Sequence, residues 1–155
     1  MLKIDMHSHI LPKTMPNWTQ KFGYGKFIHL EPNADGSANM MQGGQFFRRI
    51  VENCWDEQLR IDEYKPYNTQ VQVVCTIPVM FSYWAKTADA LELSRFLNDH
   101  IAELVQRYPK NYIGLATIPM QDAEAAILEL ERAKAIGHVG IQIGSNINDE
   151  NLSEE

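Results

Sequence analysis

The sequence predicts an α/β protein built on a parallel sheet. Three observations point there: a β-like run at the start that ends in two histidines, an alternation of β-branched and helix-periodic segments after residue 53, and a proline just after three of the strand-like runs. Strands separated by helices need crossover connections, and these place their strands side by side and parallel.

The opening run is Leu2 to Leu11, closed by Pro12, which has no N–H to continue a ladder. Side chains alternate faces along a strand, so His7 and His9 are expected on one face with Asp5 beside them. Two imidazoles so placed can reach one metal ion at about 2 Å. The carboxyl ends of parallel strands are where such sites are built.

Residues 13–50 change character. Lys13 to Gln20 shows no clear period, and Phe22-Gly23-Tyr24-Gly25 suits a packed loop. Lys26 to Glu31, Ser37 to Gln42 and Gln45 to Ile50 are separated by Asn33-Ala34-Asp35-Gly36 and by Gly43-Gly44, which predicts a small antiparallel β insertion. Its third segment carries Arg48 and Arg49. An arginine there holds a carboxylate with two parallel hydrogen bonds if it faces inward, and is a solvated cation if it does not.

Asp56 to Tyr64 reads as a short helix with an acidic first turn, ended near Pro66. Gln70 to Ile77 is a buried strand, and Val79 to Trp84 places three aromatics just beyond it, either as a pocket wall or as a loop packed on itself. Thr87 is expected to cap a helix reaching Tyr108, with Asn98 and His100 toward its solvent side. Tyr112 to Ile118 is a strand closed by Pro119, Ala123 to Ile136 a helix ended by Gly137, and Val139 to Ile143 a further strand. Four parallel strands and three helices fit either a small open sheet or the first half of an eight-stranded barrel, whose usual length is about 250 residues.

Composition narrows the function. At 155 residues, 45% hydrophobic and 22% charged, the chain suits one globular domain with a real core. A net charge of -6, with no basic run longer than Arg48-Arg49, argues against a nucleic-acid surface. No apolar stretch is long enough to span a bilayer and the start is not leader-like, so a soluble, cytoplasmic protein with no membrane partner is expected. Cys54 and Cys75 are too few for a disulfide framework and are expected to be reduced. Catalytic zinc takes three protein ligands, and beyond His7 and His9 the other histidines, His29, His100 and His138, read as structural or exposed.

Six blocks carry a resemblance: His7-Ser8-His9-Ile10-Leu11-Pro12, Phe22-Gly23-Tyr24-Gly25, Glu52-Asn53-Cys54-Trp55-Asp56, Pro78-Val79-Met80-Phe81-Ser82-Tyr83-Trp84-Ala85-Lys86, Pro119-Met120-Gln121 and Gly140-Ile141-Gln142-Ile143-Gly144. In this order they resemble the aminocarboxymuconate-semialdehyde decarboxylases of the metal-dependent amidohydrolase superfamily. The likeness runs along essentially the whole chain but covers only the N-terminal half of that family's.

The resemblance implies the N-terminal half of a TIM (β/α)8 barrel over residues 1–155, with the insertion at 13–50 inside it. It implies zinc held by His7 and His9, a substrate carboxylate held by Arg48, and a pocket wall of Met80, Phe81 and Trp84. The family's remaining metal ligands, a histidine and an aspartate, and its water-activating histidine come from later strands, so no catalytic acid or base is expected in this half. Tyr64-Lys65-Pro66-Tyr67 departs from the family's pattern, with no expected effect on the chemistry. The implied reaction is zinc-dependent, non-oxidative decarboxylation of 2-amino-3-carboxymuconate 6-semialdehyde in the kynurenine route of tryptophan degradation, by a homodimer. The half alone is expected to bind zinc weakly and turn over little. Two other readings stand beside it: a hydrolase of the same superfamily acting on an amide or lactone, which has no need of Arg48, and a non-catalytic fragment.

Overall fold

The computed structural model describes residues 2–153. In chain order its elements are β1 (Lys3–His9), α1 (Trp18–Phe22), β2 (Ile28–Pro32), β3 (Ala38–Gln42), β4 (Gln45–Ile50), α2 (Glu57–Tyr64), β5 (Thr69–Cys75), α3 (Thr87–Arg107), β6 (Tyr112–Ala116), α4 (Ala123–Ala135), β7 (Gly140–Ile141), β8 (Asn146–Ile147) and β9 (Glu150–Asn151). β1, β5, β6 and β7 lie side by side in that order, every pair parallel, joined through α2, α3 and α4. This is the half-barrel. β2, β3 and β4 form a separate antiparallel sheet between β1 and α2; β4 has the expected bounds, β3 starts one residue later than expected, and β2 runs Ile28–Pro32 rather than from Lys26 to Glu31.

Local chemistry sets the helix starts. The Asp56 carboxylate accepts from the Leu59 N–H at 2.7 Å and the Asp122 carboxylate from the Ala125 N–H at 3.0 Å, each cap contributing about 1 kcal/mol. α3 buries Leu93, Leu97, Ile101 and Leu104, the three- and four-residue spacing of one helix face. Leu93 and Leu97 join Leu11, Trp18, Phe27, Met40 and Met80 in a core between the insertion and α3, while Ile101 and Leu104 join Ile10, Val74 and Tyr112 under the sheet. The two flanks of the sheet are less covered: Leu2, Ile4 and Met6 are exposed along β1, and Ile127, Leu128 and Val139 along α4 and the approach to β7.

Four local expectations change. Lys86, not Thr87, is the N-cap of α3; Thr87 is its first helical residue, and its hydroxyl donates to Asp122 at 3.4 Å. Asn98 is fully buried rather than solvent-facing, because its amide bridges α3 to the residue that follows β6, and His100 is half-buried. Residues 18–22 are helical: Asn17 caps the turn, Gly23 ends it in the left-handed region at φ 76°, and five residues are too few to show a period. The last parallel strand contracts from 139–143 to Gly140–Ile141.

Candidate active site

β1 is not a regular strand. Asp5 pairs with Gln72 and Ser8 with Val74, three steps along β1 against two along β5, so one extra residue bulges between them. A bulge shifts the alternation by one and re-aims the side chains around it. Asp5 therefore turns away from the histidine face, contrary to the period-two expectation. Its carboxylate accepts from the Tyr64 hydroxyl of α2 at 3.0 Å and from the His7 N–H at 3.1 Å.

His7 and His9 stay together. Their Nε2 atoms are 3.2 Å apart, with ring centroids 5.0 Å apart and planes nearly perpendicular. His9 Nδ1 lies 2.9 Å from the Thr76 carbonyl, which can only accept, so the proton sits on Nδ1 and Nε2 presents a lone pair. Burial holds the His9 imidazole below the ordinary histidine value; the hydrogen bond to Thr76 opposes that, and His7 and Arg60 reinforce it. Burial thus favours the neutral ring, the form in which an imidazole can ligate a metal. With metal–nitrogen bonds of about 2.05 Å, a 3.2 Å separation corresponds to an angle at the ion of about 100°, close to tetrahedral. The pair fits a divalent cation as two of its ligands. Among the described residues no group of three or more His, Cys, Asp and Glu side chains could hold a metal ion.

β4 carries a second bulge. Met40 pairs with Arg48 but Met41 with Phe46, leaving Phe47 as the extra residue. In a regular strand neighbouring side chains point to opposite faces; here Phe47 and Arg48 line one cavity of about 450 Å³ together with His9, Leu11, Met40, Ile50, Cys54, Ile77, Pro78 and Val79. The Arg48 guanidinium lies 5.9 Å from the centre of the Phe47 ring, and among the described residues no carboxylate pairs with it. Its neighbour Arg49 differs. It pairs with Asp35 and donates to the Ser37 hydroxyl at 3.0 Å, which spends its donors inside the insertion.

The aromatic loop divides. Met80 is buried in the core, accepting from the Thr76 hydroxyl at its sulfur, and is not part of the wall of this cavity. Phe81 and Trp84 line an adjoining cavity of about 400 Å³, which shares Pro78 and Val79 with the first. The Trp84 ring packs 4.7 Å from Phe27 and covers Gly25, where a Cβ would collide with it. The half of the wall beside His9 is made instead by Ile77, Pro78 and Val79, whose aliphatic character gave no signal beside the aromatics that follow them. Cys75 lies behind His9 with its sulfur 3.4 Å from Nδ1, and burial raises its pKa to about 11, so it stays a thiol. Both cysteines are free. His29 and His138 are buried, the latter with Nε2 3.0 Å from the Asn98 carbonyl, so neither joins the site. No helix among the described residues is long and apolar enough to cross a membrane.

The chain is similar to known proteins along nearly its whole length. Residues 4–155 match the family model described as amidohydrolase. The chain is 51% identical to a 2-amino-3-carboxymuconate-6-semialdehyde decarboxylase of Dictyostelium discoideum over 99% of its own length and 43% of that protein's. It is 35% identical to the protein of the same name from Caenorhabditis elegans, over 97% of this chain and 42% of that one. Among solved structures, a 5-carboxyvanillate decarboxylase from Novosphingobium aromaticivorans, complexed with manganese and 4-hydroxy-3-methoxy-5-nitrobenzoic acid, superposes with a TM-score of 0.70 at 21% identity, over 99% of this chain and 44% of that one. The chain thus spans less than half the length of the curated relatives it matches.

Proposed function

The chain belongs to the amidohydrolase family, and from that premise we propose that it supplies the metal-binding and carboxylate-binding half of a decarboxylase site. The substrate we propose is 2-amino-3-carboxymuconate 6-semialdehyde, an intermediate of the kynurenine route of tryptophan degradation, and the ion is zinc. The support for the substrate is the name shared by the two relatives. The observation that carries the reading is that one cavity is lined both by the His9 imidazole, held by the Thr76 carbonyl, and by the Arg48 guanidinium, which no carboxylate among the described residues engages.

Each residue has a part in that reading. His7 and His9 hold the cation through Nε2, and their neighbours Thr76 and Asp5 fix the ring and the backbone from behind. When bound, the ion supplies Lewis-acid activation of water and stabilises developing negative charge. Arg48 donates a two-pronged hydrogen bond to a substrate carboxylate, orienting the chain of conjugated carbons against the Phe47 ring. Leu11, Met40, Ile50 and Val79 form a low-dielectric wall that strengthens that ion pair. Loss of CO2 breaks a C–C bond, leaves its electron pair in the substrate and requires a proton in place of the carboxyl. Among the described residues no side chain completes the ligand set, and we assign the remaining ligands and the proton donor to the later strands of the longer relatives.

The test compares the 155-residue chain with a polypeptide extended to the length of its relatives. Metal analysis and CO2 release are expected to give one zinc per chain and turnover for the extended form, and little of either for the short one. Manganese in place of zinc would correct the ion only. Arg48→Ala in the extended form is expected to raise KM for the acidic substrate about a hundredfold. Equal loss on a neutral amide, or robust turnover by the short chain, would overturn the reading.

A further inference from the structure

Arg60 is a buried cation with no carboxylate partner among the described residues. Burying a guanidinium is costly unless every N–H finds an acceptor. All five do. Nε and one Nη2 proton go to the Gln72 side-chain oxygen at 3.2 and 2.8 Å, the other Nη2 proton to the Ser8 hydroxyl, and the two Nη1 protons to the carbonyls of His9 at 2.8 Å and Asn53 at 3.0 Å. The acceptors come from β1, from β5 and from the turn that follows β4. One planar group therefore ties the strand bearing His9 to the segment that follows Arg48.

Tyr64 stands four residues on, so it shares the Arg60 face of α2. Its hydroxyl donates to the Asp5 carboxylate, which accepts the His7 N–H in turn. That N–H lies within the bulge, where the ladder to β5 is interrupted. A bulge bends and loosens a strand, yet here it must keep two ring nitrogens at 3.2 Å. We infer that Arg60 and Tyr64 are positioning residues: from the outer face of the sheet they clamp the bulged end of β1 at both histidines, Tyr64 through Asp5 to His7 and Arg60 through the His9 carbonyl and Ser8. The inference rests on the reading of His7 and His9 as metal ligands and extends it to residues that never meet the ion.

Cobalt(II) titration of the polypeptide extended to the length of its relatives, followed by visible absorption and by the shifted histidine ring signals in NMR, tests it. Arg60→Met is expected to weaken cobalt affinity about tenfold or more, Arg60→Lys to recover part of the loss, and Tyr64→Phe to weaken it less while moving the His7 signals and sparing those of His9. Asp122→Ala, which removes the α4 cap two strands away from β1, serves as the control for lost stability. Unchanged cobalt affinity in Arg60→Met and Tyr64→Phe, or losses that merely track melting temperature in all variants including Asp122→Ala, would overturn the clamp. If Arg60→Met does not fold, Tyr64→Phe decides, since it removes one hydroxyl and no packing volume. Cobalt binding that survives His7→Ala and His9→Ala would instead sink the metal reading, and the clamp with it.

Discussion

The α3–β6–α4 side of the molecule and the β1–β4 side treat polar groups in opposite ways. On the first side Glu129, fully buried, accepts from Arg132 Nε and Nη2 at 2.8 Å each, from Asn98 at 2.7 Å and from Arg95 at 3.3 Å. Asn98 in turn bonds the backbone N–H and carbonyl of Thr117 at 2.9 Å each, and its own carbonyl meets His138. That network satisfies the Glu129 carboxylate and the Asn98 side chain from within the protein, and the physical reading of such a network is structure. On the second side, His9 and Arg48 line one cavity, and among the described residues Arg48 has no carboxylate partner. His9 is fixed from behind by the Thr76 carbonyl and Arg48 stays exposed at the cavity, the arrangement on which the proposed ligand site rests.

The contrast breaks first at Glu129. Glu129→Ala leaves a buried asparagine amide and two arginines without their shared acceptor, and is expected to cost about 3 kcal/mol in urea denaturation while leaving metal binding at His7 and His9 unchanged. Loss of metal binding at equal stability would show that the two sides are coupled after all.

Acid sharpens the same line. Burial lowers the pKa of both His100 and His138 from the model-compound value of 6.5, so below that pH the unfolded chain binds protons that the folded chain refuses. Their contribution is absent well above pH 6.5, and stability falls as the pH drops through and below it. Urea midpoints measured between pH 7.5 and 5 are expected to decline in that window, and His138→Asn to flatten the decline.

The smallest effect separates two adjacent arginines. Arg49→Ala breaks an exposed ion pair with Asp35, so the melting temperature is expected to drop slightly in low salt and not in high salt. Arg48→Ala is expected to leave it unchanged in both, because Arg48 holds nothing of the fold together. A stability loss at Arg48 larger than at Arg49 would reverse their assigned roles.

Much of this was legible in the one-dimensional pattern. Turn pairs at Asp35-Gly36 and Gly43-Gly44 delimit β2, β3 and β4 because hairpin turns demand positive φ, and Asp56 announces α2 because its carboxylate is the cap. The pairing of His7 with His9 was legible too, since two residues apart on a strand means one face. Other features gave no sign. α1 is shorter than the period that would reveal it, and Asn98 looks like a solvent residue until Thr117, nineteen positions on, is found beside it.

From its own residues the chain made legible the parallel strands and the helices between them, the antiparallel insertion and the two histidines that share a face, but not α1, β8 or β9. The resemblance had already singled out Arg48; the tertiary structure sets Arg48 rather than Arg49 at the cavity and shows which side chains line it and which support β1. Period-two reasoning assumes an unbroken strand, and both site strands carry an extra residue that moves Asp5 out, brings Phe47 and Arg48 together, and hands the end of β1 to Arg60 and Tyr64. A bulge is set by what a strand must pair with and pack against, and those partners lie far along the sequence.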